Sequence, residues 1–199
     1  MKHMGKIIVL EGLDKSGKTT QAHMLHDYLN DKNPGQTVLF SFPDYSTKIG
    51  KQIRSFLDGE VQYNAETKHM LLSANKWEKK ENILESLRSK KTIILNRYYQ
   101  SNLAYGLANG LDFEWLSILD KGMPKEDVTI VLDISPRVSY LRSIANNFVL
   151  DDFEKNREFL DAVRTNYLKL AKVFDWNVLH SDNSKDIIFR SILDVIGEQ

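Results

Sequence analysis

Residues 12 to 19 read Gly-Leu-Asp-Lys-Ser-Gly-Lys-Thr, the pattern G-x-x-x-x-G-K-T. This octapeptide narrows the possible folds sharply, because it works only between a buried strand and the start of a helix. Ile7-Ile8-Val9-Leu10 precede it, an apolar run of strand length. After it, Thr20 to Tyr28 reads as a helix with Ala22, Leu25 and Leu29 on one face. A strand, a glycine-bearing turn and a helix N-terminus together form an anion site. Backbone N–H groups converge on phosphate oxygens, and the helix dipole adds partial positive charge. Gly12, Leu13, Asp14, Lys15, Ser16, Gly17, Lys18, Thr19 and Thr20 are therefore expected to surround a nucleoside triphosphate. Lys18 is expected at the outer phosphates, and the Thr19 hydroxyl on Mg²⁺.

The rest of the chain alternates strand and helix. Strands are expected over Lys6–Glu11, Thr37–Phe42, Thr92–Asn96, Val128–Asp133 and Asn177–His180. Helices are expected over Lys18–Leu29, Ile49–Leu57, Ala65–Arg88, Ser101–Asn109, Pro136–Arg142, Phe153–Phe174 and Lys185–Ile196. Continuous apolar strands such as Thr129-Ile130-Val131-Leu132 suit a parallel sheet buried on both faces. The expectation is one α/β domain over residues 1–199, with three layers, right-handed crossovers and ligands beyond the strand carboxyl ends.

Composition excludes several functions. Lysine plus arginine number 27 and aspartate plus glutamate 27, so a nucleic-acid or anionic-membrane surface is not expected. No apolar run approaches the ~20 residues of a membrane span. There is no cysteine, which rules out disulfides and thiolate metal sites. The opening Met1-Lys2-His3-Met4-Gly5 leaves no room for a secretory signal, so a cytoplasmic location is expected. The five histidines form no metal-ligand set.

Further motifs follow the strands in order. Ser41-Phe42-Pro43-Asp44-Tyr45 comes after the second, and Leu71-Leu72-Ser73-Ala74-Asn75-Lys76-Trp77 lies on the long helix. Asn96-Arg97-Tyr98-Tyr99-Gln100-Ser101, then Ala104-Tyr105-Gly106, closes the third strand. Asp133-Ile134-Ser135-Pro136 closes the fourth, and Asp152-Phe153-Glu154 stands near the end of a weakly patterned segment, 143–152. Taken with the phosphate loop, this ordered set resembles the thymidylate kinases, from Ile7 to about Ile188. Asn-Arg-Tyr with Ser-Asn-x-Ala-Tyr-Gly looks most like their archaeal branch.

The resemblance implies the three-layer P-loop NTPase fold with a five-stranded parallel sheet, a homodimer built through helices, and a short lid at about 143–152, a segment that otherwise reads as a plain helix–helix connection. It implies ATP and Mg²⁺ as cofactors and dTMP as acceptor. Asp14 would hold the acceptor sugar and position its phosphate. Lys15 would supply the loop cation that stabilises the transferring group, since 143–152 holds no Lys or Arg; a solvated loop residue is the other reading. Arg97 suits an acceptor monophosphate, forked as a guanidinium is; a structural ion pair is the other reading. Ser101 and Tyr105 would line the acceptor pocket, Tyr105 under the 2′-carbon or else as ordinary core. Phe42, Pro43 and Phe153 would help enclose the acceptor. Arg142 stands where the family places an adenine-stacking arginine; a solvated helix-end charge is the alternative. Trp77 suits core or the edge of the same groove.

Four positions depart from the family pattern. Asn96 replaces an Asp that orients Mg²⁺ through water, keeping a polar group but no charge. Tyr45 replaces an Arg of the acceptor-phosphate site, Leu72 a thymine-stacking Phe, and Lys76 an Arg near the base or phosphate. The expected reaction is phosphoryl transfer from ATP to dTMP, giving dTDP on the way to dTTP. The departures leave open a kinase of dUMP or UMP, or a non-catalytic ATP-binding homologue.

Overall fold

Segments of four to six residues become the strands of one parallel sheet, and the segments between them cross over as helices. The structure is a computed structural model that describes residues 5–145 and 156–198. In chain order the elements are β1 (Lys6–Glu11), α1 (Lys18–Lys32), β2 (Thr37–Ser41), α2 (Lys48–Leu57), α3 (Ala65–Trp77), α4 (Lys80–Arg88) and β3 (Thr92–Asn96). There follow α5 (Tyr99–Ala108), α6 (Phe113–Leu119), β4 (Val128–Asp133), α7 (Pro136–Ala145), α8 (Arg157–Phe174), β5 (Asn177–His180) and α9 (Lys185–Ile196). The sheet order is β2-β3-β1-β4-β5, with every neighbouring pair parallel. Leu10 pairs with Asn96 and Glu11 with Val131, so β1 ends between β3 and β4. Helix α1, which follows β1, covers one face of the sheet and α5, which follows β3, covers the other, which opens a crevice at the carboxyl edge.

Both faces of β1 are covered, which is why its sequence is apolar without alternation. Ile8 and Leu10 pack with Ile94, Ile130 and Leu132 against Ala22, Leu25 and Leu29 of α1 and Ile188, Ile192 and Ile196 of α9. Ile7 and Val9 face the other way, with Ile93 and Leu95, towards Ile83 and Leu87 of α4. Beside them Val131 meets Leu103 and Ala104 of α5 and the Leu160, Val163, Tyr167, Leu170 stripe of α8. β5 is an exposed edge strand.

Two expected helices differ, and one further helix appears. The long helix over Ala65–Arg88 is two helices, although no glycine or proline marks a break. The last turn of α3 tightens, with Lys79 N–H donating to Lys76 O at 3.0 Å. The break residues are claimed by the chain after β2: Lys79 Nζ pairs with Asp44 at 2.8 Å, and Glu78 accepts from the Thr47 hydroxyl at 2.7 Å. Helix α6 was not expected; Asp112 caps it, accepting from Trp115 N–H at 2.8 Å. The helix expected from Phe153 begins at Arg157, capped by Asn156. Phe153 lies outside the described residues. So does most of the expected lid, whose first residues, Ser143 to Ala145, complete α7. No helix among the described residues is long and apolar enough to cross a membrane.

Candidate active site

The phosphate loop joins β1 to α1 through backbone shapes that few side chains tolerate. Gly12 has φ +135°, and a Cβ there would lie 2.4 Å from Leu132 O. Gly17, the N-cap of α1, has φ +99°, and Lys15 takes a left-handed φ of 60°. Helix α7 holds the outer side of this loop. Ser139 Oγ donates to Asp14 O at 2.7 Å, and Arg142 donates to Lys15 O at 3.0 Å and to Ser181 O at 2.8 Å. With these carbonyls engaged outward, the loop can present N–H groups to an anion. Arg142 thus braces the loop against the end of β5, rather than standing as a solvated helix-end charge.

Lys18 is buried, and its Nζ donates to Leu13 O at 2.6 Å and lies 3.7 Å from Asp14 Oδ1. Burial pulls its ammonium down to about 7; Arg97 pushes the same way, while Asp14 and Glu11 oppose. Burial would raise the Asp14 carboxyl, but Arg97 and Lys18 outweigh it and hold it well below the usual carboxylate range. The site is thus a dense cluster of opposite charges on a loop built for anions.

Arg97 joins the loop to the third strand. Its Nη2 donates to Asp14 Oδ1 at 2.6 Å and its Nη1 to Ser101 Oγ at 3.1 Å. The guanidinium carbon stands 5.4 Å from the centre of the Tyr105 ring. Asp14, Lys18, Arg97, Ser101 and Tyr105 therefore form one connected group. Tyr105 is also core: it is 6 % exposed and its ring meets those of Phe159 and Tyr167. Asn96 donates to Thr19 Oγ1 at 3.2 Å, joining the two expected metal-site residues. Its Oδ1 is buried without a hydrogen-bond partner.

The remaining expected residues lie on the chain just after β2 and on α3. Phe42 is buried against Tyr98, with ring centres 6.3 Å apart, and Pro43 follows it through a cis peptide bond. Tyr45 is 39 % exposed, its ring 5.5 Å from the Arg54 guanidinium. Leu72 packs against the Ile53, Phe56 and Leu57 cluster. Lys76 is buried: its Nζ donates to Leu72 O at 2.8 Å and lies 3.7 Å from Asp120 Oδ2. Burial pulls its ammonium down and Asp120 opposes. Trp77 donates its indole N–H to Leu119 O at 2.8 Å, which ties α3 to α6. No group of three His, Cys, Asp or Glu side chains among the described residues could hold a metal ion.

Two residues at the centre escaped the sequence reading. Glu11, wholly buried at the end of β1, accepts from Ser101 Oγ at 2.6 Å and from the Tyr167 hydroxyl at 2.8 Å. A carboxylate closing an apolar strand was the available signal for Glu11. Tyr167 carried none beyond its place on the apolar stripe of α8.

Known proteins match this chain over nearly its whole length. The thymidylate kinase family model matches residues 10–192. The thymidylate kinase of Schizosaccharomyces pombe is 36 % identical, over 98 % of this chain and 93 % of that protein. A probable thymidylate kinase of Pyrococcus horikoshii is 38 % identical, over 98 % of this chain and 97 % of its own. Among solved structures, the Candida albicans thymidylate kinase, an enzyme described as having broad substrate specificity, superposes with a TM-score of 0.84 at 29 % identity. That match covers 98 % of this chain and 92 % of the Candida chain.

Proposed function

The chain belongs to the thymidylate kinase family and is an ATP-dependent dTMP kinase, and we propose that the residues gathered around Asp14 and Arg97 carry its reaction. The γ-phosphoryl group of ATP passes in line to a phosphate oxygen of dTMP, giving ADP and dTDP. Such a transfer asks little covalent chemistry of side chains, so positioning and electrostatics supply the rate. The loop amides and Lys18 hold the β- and γ-phosphates, with Gly12 and Gly17 letting the backbone close around them. Lys15 stabilises the charge spreading over the transferring group. Arg97 takes the acceptor phosphate, and Asp14 holds the acceptor sugar. Ser101, Tyr105, Phe42, Pro43, Tyr45, Leu72, Lys76 and Phe153 enclose the rest of the nucleotide. Arg142 serves the adenine side while bracing the loop.

One observation supports this division most: Arg97 is hydrogen-bonded to the phosphate loop itself, through Asp14 at 2.6 Å. Donor and acceptor phosphates bound to these two elements would meet. Mg²⁺ fits the same reading, because Thr19 and Asn96 touch and Asn96 Oδ1 has a lone pair with no partner. Thr19 would ligate the ion and Asn96 an outer-shell water. When bound, Mg²⁺ neutralises charge on the β- and γ-oxygens.

The reading includes a single kinase unit over residues 1–199, supported by the one sheet that spans the described residues. It includes a homodimer through helices, for which exposed Met70 on α3 and Ile118 on the adjoining α6 speak. A cytoplasmic location belongs to it as well, and a cysteine-free chain suits that compartment. The test is steady-state ADP release by Asp14→Asn and Arg97→Lys, varying dTMP and ATP separately. Both should raise KM for dTMP about tenfold or more, the scale of a lost charged hydrogen bond, with KM for ATP changed far less. Equal rises in both constants would contradict the assignment.

A further inference from the structure

Burying a carboxylate is costly unless its lone pairs are met, and Glu11 is buried completely. Its four hydrogen bonds fall into two pairs. Oε1 accepts from the backbone N–H groups of Tyr98, at 2.7 Å, and Ser101, at 3.2 Å. Oε2 accepts from the hydroxyls of Ser101, at 2.6 Å, and Tyr167, at 2.8 Å. Each pair bears on Arg97 from a different side.

The first pair concerns the backbone. Arg97 has a left-handed φ of 66°, an unfavourable shape for a side chain of its size. The peptide N–H groups on either side of its Cα are both tied to the end of β1. Arg97 N–H donates to Leu10 O at 2.9 Å, and Tyr98 N–H to Glu11. Tyr98 is the N-cap of α5 and makes no side-chain cap of its own, so Glu11 caps that helix from a neighbouring strand. The second pair concerns the guanidinium. An ionised carboxylate only accepts, so it draws the Ser101 and Tyr167 protons towards itself. Their oxygen lone pairs are then left facing Arg97 Nη1, at 3.1 Å and 3.5 Å. Asp14 holds Nη2.

We propose that Glu11 is a positioning residue for the acceptor phosphate: one carboxylate that fixes the backbone of Arg97 directly and its guanidinium through the hydroxyls of Ser101 and Tyr167. The proposal rests on the reading that Arg97 binds that phosphate. Glu11 touches no substrate itself. Its negative charge sets the direction of two hydroxyls, and a neutral amide cannot replace it. In a Glu11→Gln chain the new N–H₂ group points either at two backbone N–H donors or at the two hydroxyls. In the first case the cap is lost; in the second, the hydroxyl protons are driven towards Arg97.

The experiment is steady-state ADP release by the full chain, with dTMP and ATP varied separately, for Tyr167→Phe, Glu11→Gln and Arg97→Lys, each accompanied by a thermal melt. Tyr167→Phe keeps the carboxylate and removes one hydroxyl acceptor; KM for dTMP should rise about threefold to tenfold, with KM for ATP within twofold. Glu11→Gln should raise KM for dTMP further, by about tenfold to a hundredfold. A purely structural cap would instead lower the melting temperature and leave KM for dTMP at the wild-type value in both variants. That result overturns the proposal, as does an equal rise in both constants. If Glu11→Gln does not fold, Tyr167→Phe alone decides. Arg97→Lys separates the two levels. A raised KM for dTMP there, with none in the other two variants, removes the role of Glu11 and leaves Arg97 in place. An unchanged KM in Arg97→Lys removes both.

Discussion

Acid should destabilise this protein through one buried imidazole, that of His69 on α3. The side chain is fully buried between Asn102 and Asn109, at 2.6 Å from Nδ1 and 3.0 Å from Nε2. Asn109 presents an amide N–H₂ to Nε2, so Nε2 must accept, and Nδ1–H donates to Asn102 Oδ1. Only the neutral ring fits that arrangement. Burial lowers its pKa from 6.5 to about 4, against an opposing push from the Asn102 hydrogen bond. The unfolded chain therefore binds the proton first as pH falls, and stability is lost below about pH 6.5. A difference of ~2.5 pKa units corresponds to ~3.4 kcal/mol in the acid limit and ~2 kcal/mol at pH 5. At pH 5 that lowers the melting temperature by about 4–8 °C from this group alone. The assay is urea unfolding at pH 5 to 7.5, for wild type and for His69→Gln, which keeps one donor and one acceptor without titrating. The other titrating groups are common to both proteins, so the difference in slope isolates His69. Parallel pH dependences would refute the neutral, locked imidazole. The helices that His69 joins, α3 and α5, also carry Leu72, Lys76, Ser101 and Tyr105, the residues proposed for the acceptor.

Lys18→Ala should cut turnover about a thousandfold or more with the fold intact; near-normal turnover would contradict the phosphate-loop assignment. With the Lys18 ammonium near 7 in the free protein, ATP binding should take up close to one proton at pH 8 and almost none at pH 6. Calorimetry in two buffers of different ionisation enthalpy measures this, and the uptake should vanish in Lys18→Ala. Asn96→Asp should lower the Mg²⁺ concentration needed for half-maximal rate, because it adds a charge beside Thr19; an unchanged requirement would place the metal elsewhere. Gly50→Ala would put a Cβ 1.8 Å from Asp44 O, pushing the chain after β2 off helix α2. It should destabilise by about 2 kcal/mol or more, lowering the melting temperature by at least about 4 °C.

The sheet was legible because all five strand segments could be located from their residues, and inner strands buried on both faces show themselves as unbroken apolar runs. The loop was legible because its glycines and lysine are fixed by the phosphate they serve. Most of what failed depended on distant contacts. Nothing near Glu78 ends a helix; the break between α3 and α4 is set by Asp44 and Thr47, more than 30 positions earlier in the sequence. Helix α6 did announce itself through Asp112 at its cap and Glu114 in its first turn, but at seven residues its apolar period is too short to read. In the site, Asp14 and Arg97 stand in motifs, whereas Glu11 and Tyr167 surround Arg97 through hydrogen bonds that no spacing encodes. The neutral Asn96 was plain in the sequence, but its contact with Thr19 needed the fold. The burial of Lys76 against Asp120 likewise joins helices that are separate in the sequence.

The most direct test is coupled ADP release with ATP and Mg²⁺ against dTMP, dUMP, UMP, dCMP and dGMP. Fast turnover with dTMP, well above dUMP and far above the ribonucleotide, is the predicted result. It would show that Leu72 and Tyr45 are tolerated in a thymidylate kinase and that the site selects against a 2′-hydroxyl. Tight ATP binding with no acceptor-stimulated ADP release, or turnover confined to an acceptor other than dTMP, would contradict it.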